Sequence, residues 1–228
     1  MRKPVVDYRK FRFSKLNTPE FSHLKLLSGW LVYLVLYLIT ENFIPEQECY
    51  VVHCKLDEMI PFCEWFIVPY VSWYLLVAWS LLYFALYDID GFKKLMTFIF
   101  IAQVSSMIIY IIFPNRQDLR PVVFPRDNLL TDAVKYLYKV DTDTNVCPSM
   151  HVGFSLAITS AWLKEKCASK AWKTFIIFSL IVICCSVSLI KQHSVIDTVA
   201  AFALCAIIEA IVYGKCFWLP KFKSNKKC

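Results

Sequence analysis

Long apolar runs without a polar stripe constrain this chain more than any other feature. Residues 95–113 contain no charged side chain, and neither do residues 66–87. A helix that crosses a bilayer needs about 20 mostly apolar residues, because the hydrocarbon layer is about 30 Å thick and each residue rises about 1.5 Å. A core helix of a soluble protein would show polar positions every three or four residues. Both runs therefore read as membrane spans. Four more candidates follow at residues 24–44, 150–163, 172–190 and 194–213. The first carries Lys25 and Glu41 near its ends, where charged side chains reach the interface. The 150–163 run is short, and is expected to tilt, to start among the headgroups or to extend past Leu163. The expected architecture is an all-α integral membrane bundle of six transmembrane helices. It fills residues 24–214, between a basic N-terminal arm (1–23) and a basic tail (215–228). Residues 1–25 are charged and lack the apolar core of a cleavable signal peptide.

The net charge of +7 is explained by topology rather than by nucleic acid. With the N-terminus cytoplasmic, the arm holds Arg2, Lys3, Arg9, Lys10, Arg12, Lys15 and Lys25. Lys93 and Lys94 fall in the second cytoplasmic loop, and Lys164, Lys166, Lys170 and Lys173 in the third. Lys215, Lys221, Lys223, Lys226 and Lys227 lie in the tail. These are 18 of the 25 basic residues, the asymmetry expected of an even number of spans with both termini cytoplasmic. The bilayer is the expected partner, with anionic headgroups secondary, and no nucleic acid or obligatory protein partner is implied. Of the ten cysteines, Cys184, Cys185 and Cys205 read as small apolar fillers within spans. Cys49, Cys54 and Cys63 share the first outward loop, where a disulfide is possible in an oxidising compartment. No zinc-ligand spacing occurs, so neither a metal nor another cofactor is expected.

The outward segments hold most of the chemistry. The connection from Pro114 to Ser149 is long for a loop, and Leu129–Val140 has helical periodicity, with an apolar face expected to lie on the membrane surface. Arg116 and Arg120-Pro121 follow the third span, Pro148-Ser149-Met150-His151 opens the fourth, Lys191-Gln192-His193 closes the fifth and Asp197 tops the sixth. The chain descends from His151 through one span and returns through the next, so parity brings His193 back to the same face. Phosphoryl transfer needs positive charge around the non-bridging oxygens, an in-line nucleophile and an acid for the leaving oxygen. Arginine binds phosphate through a planar fork, and histidine serves as nucleophile or proton donor near neutral pH. Asp197, four residues after His193 on a helix, is placed to hold the imidazole in one tautomer. Ser149 and the first amides of the fourth span form a helix N-terminus that suits an anion. Each element alone has an ordinary structural reading as a cap, an interfacial anchor or loop chemistry; their order and shared side make the case.

These residues resemble the type 2 phosphatidic acid phosphatase superfamily, whose motifs are Lys-x6-Arg-Pro, Pro-Ser-Gly-His and Ser-Arg-x5-His-x3-Asp. The counterparts here are Arg120-Pro121, Pro148-Ser149-Met150-His151, and Ser186 through His193 to Asp197. The resemblance implies that His193 is the nucleophile of a phosphohistidine intermediate, oriented by Asp197, while His151 protonates the leaving alkoxide. It also implies that Arg120, Ser149 and nearby amides hold the phosphoryl oxygens. The chain departs from the motifs at Phe113, Met150 and Val187, which stand in place of Lys, Gly and Arg. Arg116 and Lys191 are the expected substitutes for the two missing cations. The variant strings look like a divergent branch related to inositol phosphorylceramide synthases. The expected activity is hydrolysis of a lipid phosphomonoester or pyrophosphate at the non-cytoplasmic face. The alternatives are transfer of the phosphoryl headgroup to a lipid or polyol acceptor, and a non-catalytic transporter or scaffold.

Overall fold

The structure, a computed structural model, describes residues 3–43 and 48–219. Eight α-helices carry the fold: α1 Gly29–Phe43, α2 Lys55–Met59, α3 Ile67–Tyr87, α4 Ile89–Ile112, α5 Leu129–Val140, α6 Met150–Lys164, α7 Lys170–Leu189 and α8 Val195–Tyr213. Among the described residues, five helical stretches are long and apolar enough to cross a membrane: Ser22–Thr40, Glu64–Tyr87, Ile89–Ile112, Lys170–Leu189 and Val195–Trp218. The protein is thus an all-helical bundle of membrane-protein character. The expected fourth span, α6, has only 15 residues, about 22 Å of helix. It is packed against α3, α4, α7 and α8, and residues on several of its faces are buried, among them Phe154, Ala157, Ile158 and Trp162. A helix enclosed by protein need not match the lipid thickness, because its neighbours rather than lipid cover its sides.

Packing around α6 organises the core. Trp162 reaches α3, with Tyr83 and Phe84 rings at 4.4 and 5.0 Å, and its indole N–H donates to Ser80 at 3.0 Å. Leu95, Met96, Phe98, Ile99 and Ala102 bring α4 into the same cluster, and Ile176, Ile183, Cys205 and Ile208 bring α7 and α8. The joint between α3 and α4 is a single residue, Asp88, whose carboxylate accepts from the Gly91 amide at 3.0 Å. A side chain at position 91 would meet Asp88 and Phe84 at 2.5 and 2.7 Å, so the tight turn needs glycine. Lys93 and Lys94 accordingly lie within α4 rather than in a loop.

One end of the bundle gathers the basic residues. The N-terminal arm is tied to the C-terminal end of α3, with the Val5 amide donating to the Leu86 carbonyl at 2.8 Å and the Tyr8 hydroxyl to the Ala85 carbonyl at 2.6 Å. Lys164 at the same end meets Glu209 at 2.6 Å beneath the Tyr213 ring. Arg2 and the tail lysines Lys221, Lys223, Lys226 and Lys227 lie outside the described residues.

At the other end, the 113–149 connection is folded into the bundle. Its helix α5 spans Leu129–Val140 as expected, started by Asn128, whose side chain accepts from the Leu130 and Thr131 amides at 3.0 Å each. The apolar face does not lie on a membrane surface, however. Val134 and Leu137 are buried with Ile67 and Tyr70 of α3, Val187 of α7 and Ala201 of α8. No disulfide joins Cys49, Cys54 and Cys63.

Candidate active site

A capped helix start and a strained turn position His193. The α7 helix ends at Leu189, and Lys191 adopts a left-handed backbone conformation, φ 55°. The Gln192 and His193 amides both donate to the Val187 carbonyl at 3.0 Å. Ser194 then caps α8, its hydroxyl accepting from the Ile196 amide at 3.2 Å while its own amide donates to Asp197 Oδ2 at 2.9 Å. That carboxylate oxygen lies 3.1 Å from His193 Nδ1, which is also 3.0 Å from the Val146 carbonyl. With both acceptors on Nδ1, the proton is held there and Nε2 carries the lone pair.

His151 sits in the first turn of α6, one face against Tyr70 at 4.3 Å between ring centres and another against Trp73 at 4.4 Å. Its Nε2 is buried without a partner, an arrangement that costs stability unless function recovers it. The His151 and His193 rings are 6.0 Å apart, and both line one cleft. Its walls come from α1 (Tyr33, Tyr37), α4 (Met107, Tyr110), the 141–146 segment and Gln192.

The remaining expected residues are placed differently. Arg120 stands behind the wall: its guanidinium donates to the carbonyls of Tyr138 (3.1 Å) and Asp141 (2.7 Å) and to Gln192 Oε1 (3.0 Å), and it lies 4.4 Å over the Tyr138 ring. It braces the corner at 138–141 and meets the cleft lining through Asp141 and Gln192 without lining the cleft itself. Arg116 belongs to a two-residue strand, β2 Asn115–Arg116, which pairs in parallel with β1 Tyr50–Val51, and it does not line the cleft. Lys191 points away. Its ammonium donates to the Asp57 and Ile60 carbonyls at 2.7 and 2.5 Å, and burial holds its pKa below the usual lysine range despite the nearby Asp57 charge. The two substitutes for the missing cations are therefore not in the cleft. Ser149 precedes α6 but makes no side-chain cap; its buried hydroxyl has no partner and borders a small gap behind the cleft. Its amide donates to the Asp197 carbonyl at 3.1 Å, which ties the starts of α6 and α8 together.

Several residues that the sequence did not single out build this site. Asn115 is buried and holds the 145–147 segment: its Oδ1 accepts from the Val146 and Cys147 amides at 2.9 and 2.7 Å, and its Nδ2 donates to the Cys147 carbonyl at 3.1 Å. Asp57 is buried too. It accepts from the Ser194 hydroxyl at 2.6 Å and from the Val195 and Cys54 amides at 2.8 Å each. Burial alone would raise its pKa, yet these three donors keep the carboxyl below the ordinary aspartate range. The Tyr70 hydroxyl donates to Asp141 Oδ2 at 2.8 Å, linking the ring that covers His151 to a carboxylate of the cleft. Cys147, next to the cis Pro148 peptide, is no thiolate nucleophile, since burial beside the Asp197 charge pushes its pKa up to about 12. No three His, Cys, Asp or Glu side chains converge as a metal site among the described residues.

Fold and site together define a helical membrane-type protein with a histidine pair at one end. No protein-family model matches the chain, and no curated protein or solved structure is significantly similar to it.

Proposed function

We propose that this protein is a membrane enzyme that cleaves a lipid phosphate ester through a phosphohistidine on His193. The observation that carries the reading is the pairing of two imidazoles 6.0 Å apart in one cleft, with Nδ1 of His193 engaged by Asp197 and Val146. Residues 42 positions apart meet only because α6 and α7 return the chain to one end, and Asp197 leaves Nε2 as the nucleophilic nitrogen. In the first step Nε2 of His193 attacks phosphorus, the P–O bond to the lipid breaks, and His151 gives its proton to the departing alkoxide. In the second step water attacks phosphorus as His151 takes its proton, the bond between phosphorus and His193 Nε2 breaks, and phosphate and free His193 result. The alternative transfer reaction uses an alcohol in place of water. We read α6 as the sixth membrane-crossing element, both termini as cytoplasmic and the cleft as non-cytoplasmic, since the basic residues collect at the opposite end. A lipid phosphomonoester or pyrophosphate is the expected substrate.

Purified protein incubated with a labelled lipid phosphate and quenched in alkali should carry an acid-labile phosphoryl group on His193. His193→Ala and His151→Ala should each abolish turnover with the fold retained. Turnover retained in His193→Ala would refute the assignment.

A further inference from the structure

The end of the bundle opposite the histidines has a groove of its own. Its apolar walls include Leu156 and Leu163 of α6 and Phe202 and Ala206 of α8, and it ends at Lys164, Glu209 and Trp218. Leu163 and Phe202 are exposed, so the groove opens sideways. From Leu156 to Lys164 is about 12 Å of helix, within the roughly 15 Å of hydrocarbon that one leaflet contributes. An apolar channel of that depth, open to the side in a helical membrane bundle, takes hydrocarbon from a single leaflet.

The wall at Trp218 is built in. Its indole N–H donates to Glu209 Oε1 at 2.7 Å, the same oxygen meets the Lys164 ammonium at 2.6 Å, and the Ser160 hydroxyl donates to Oε2. The Lys164 ammonium also lies 4.0 Å from the Tyr213 ring centre and 5.5 Å from that of Trp218. The charges of Lys164 and Glu209 offset one another, so that pair closes the groove without drawing in an ion. The free charge comes from the next helix. Lys173 of α7 donates to the Leu163 carbonyl at 3.0 Å, which sets its ammonium beside the polar end of the groove. An ammonium has three donors, and this carbonyl takes one. Lys166, Lys170 and Lys215 are exposed on the flanking turns, whereas the one acid of the link between α6 and α7, Glu165, is buried and accepts from the Cys167 amide at 2.8 Å.

We propose that this groove binds an anionic phospholipid of the leaflet at the basic end, one acyl chain lying between α6 and α8 and the phosphate paired with Lys173. The site is separate from the histidine cleft and does not depend on its chemistry.

The test uses full-length protein in phosphatidylcholine nanodiscs with a trace of phosphatidylglycerol carrying a diazirine in mid-chain, irradiated and mapped by mass spectrometry. Label should concentrate on residues 156–163 and 202–206. Unlabelled phosphatidylglycerol mixed into the disc should displace it at least fivefold better than an equal share of phosphatidylethanolamine. Lys173→Gln should reduce that preference about fivefold, the worth of one lysine near an anionic headgroup, whereas Lys15→Gln, an exposed lysine of the N-terminal arm, should leave it unchanged. Ala206→Trp fills the groove from an exposed position and should remove the label there. Label spread evenly over exposed apolar positions such as Leu75 and Ile111, with no headgroup preference, marks ordinary annular lipid and overturns the proposal. Equal losses in Lys173→Gln and Lys15→Gln mark diffuse charge attraction and overturn it too. The wild-type labelling pattern and its displacement decide the matter even where Ala206→Trp fails to fold.

Discussion

Replacing Asp57 by alanine tests how the turn that carries His193 is held. The Asp57 carboxylate is the shared acceptor of three donors, the Ser194 hydroxyl and the Val195 and Cys54 amides, at 2.6 to 2.8 Å in a buried setting. A buried donor left without an acceptor costs about 1–3 kcal/mol. The hydroxyl can rotate to another partner but the two amides cannot, so the loss is about 2–6 kcal/mol. That is a large share of the roughly 5–15 kcal/mol that separates folded from unfolded states. Asp57→Asn keeps one acceptor oxygen and should lose about half as much. Thermal unfolding in detergent reads the first consequence. The second is local: Cys54 is the N-cap of α2, and the Cys63 amide donates to the Leu189 carbonyl at 2.9 Å, so release of this segment should speed maleimide labelling of both thiols. Turnover should fall in step, because Lys191 and Ser194 flank Gln192 and His193 and both are anchored there. An Asp57→Ala protein with unchanged melting temperature and labelling rate would show that the turn is held by other means.

Other outcomes follow from the same contacts. Asp57 has a lower pKa folded than unfolded, so the unfolded chain binds the extra proton and stability rises with pH. Its contribution is complete above about pH 4 and fades as pH falls through the lower native value, so the gap between wild type and Asp57→Asn in unfolding scans should close only in acid. Arg120→Lys loses the fork that spans Tyr138, Asp141 and Gln192 and should lower stability by about 1–3 kcal/mol despite unchanged charge, measured by the same scans. Tyr70→Phe removes the donor to Asp141 but keeps the ring on His151; kcat should fall several-fold with the melting temperature nearly constant, whereas Tyr70→Ala should lower both. Asn115→Ala strands the Val146 and Cys147 amides and should abolish activity by displacing the carbonyl that faces His193 Nδ1, at a cost of about 2–4 kcal/mol.

The histidine pair and Asp197 were legible because their placement depends only on parity and helical period. Counting spans puts His151 and His193 at one end, and a four-residue step puts Asp197 beside His193. Side-chain direction across a turn is not legible in that way. Lys191 lies two residues from His193, yet its left-handed backbone sends the ammonium to Asp57 and Ile60. Arg116 lies four residues from Arg120, but Arg116 is paired to β1 and residues 117–119 are not helical, so helical spacing did not apply. Tyr70, Asp141 and Asn115 were missed because the contacts that place them, Tyr70 to Asp141 and Asn115 to Val146, join residues 31 or more apart, a distance at which no local pattern survives. The helix α5 was legible from its period, but whether its apolar face met lipid or protein depended on the gap left by α3, α7 and α8. The shortness of α6 was visible; its enclosure, which explains it, was not.

The cleft divides its labour between helices of unequal attachment. The paired imidazoles belong to α6 and to the turn that caps α8, within the packed bundle, whereas two of the tyrosines lining the same cleft stand on α1, a helix that packs chiefly on α4 and leaves Leu31, Val35 and Leu38 exposed. Substitutions along α1 can thus reshape what is admitted while the machinery on α6 and α8 stays as it is. A lineage built on this bundle would change its diet by editing one wall.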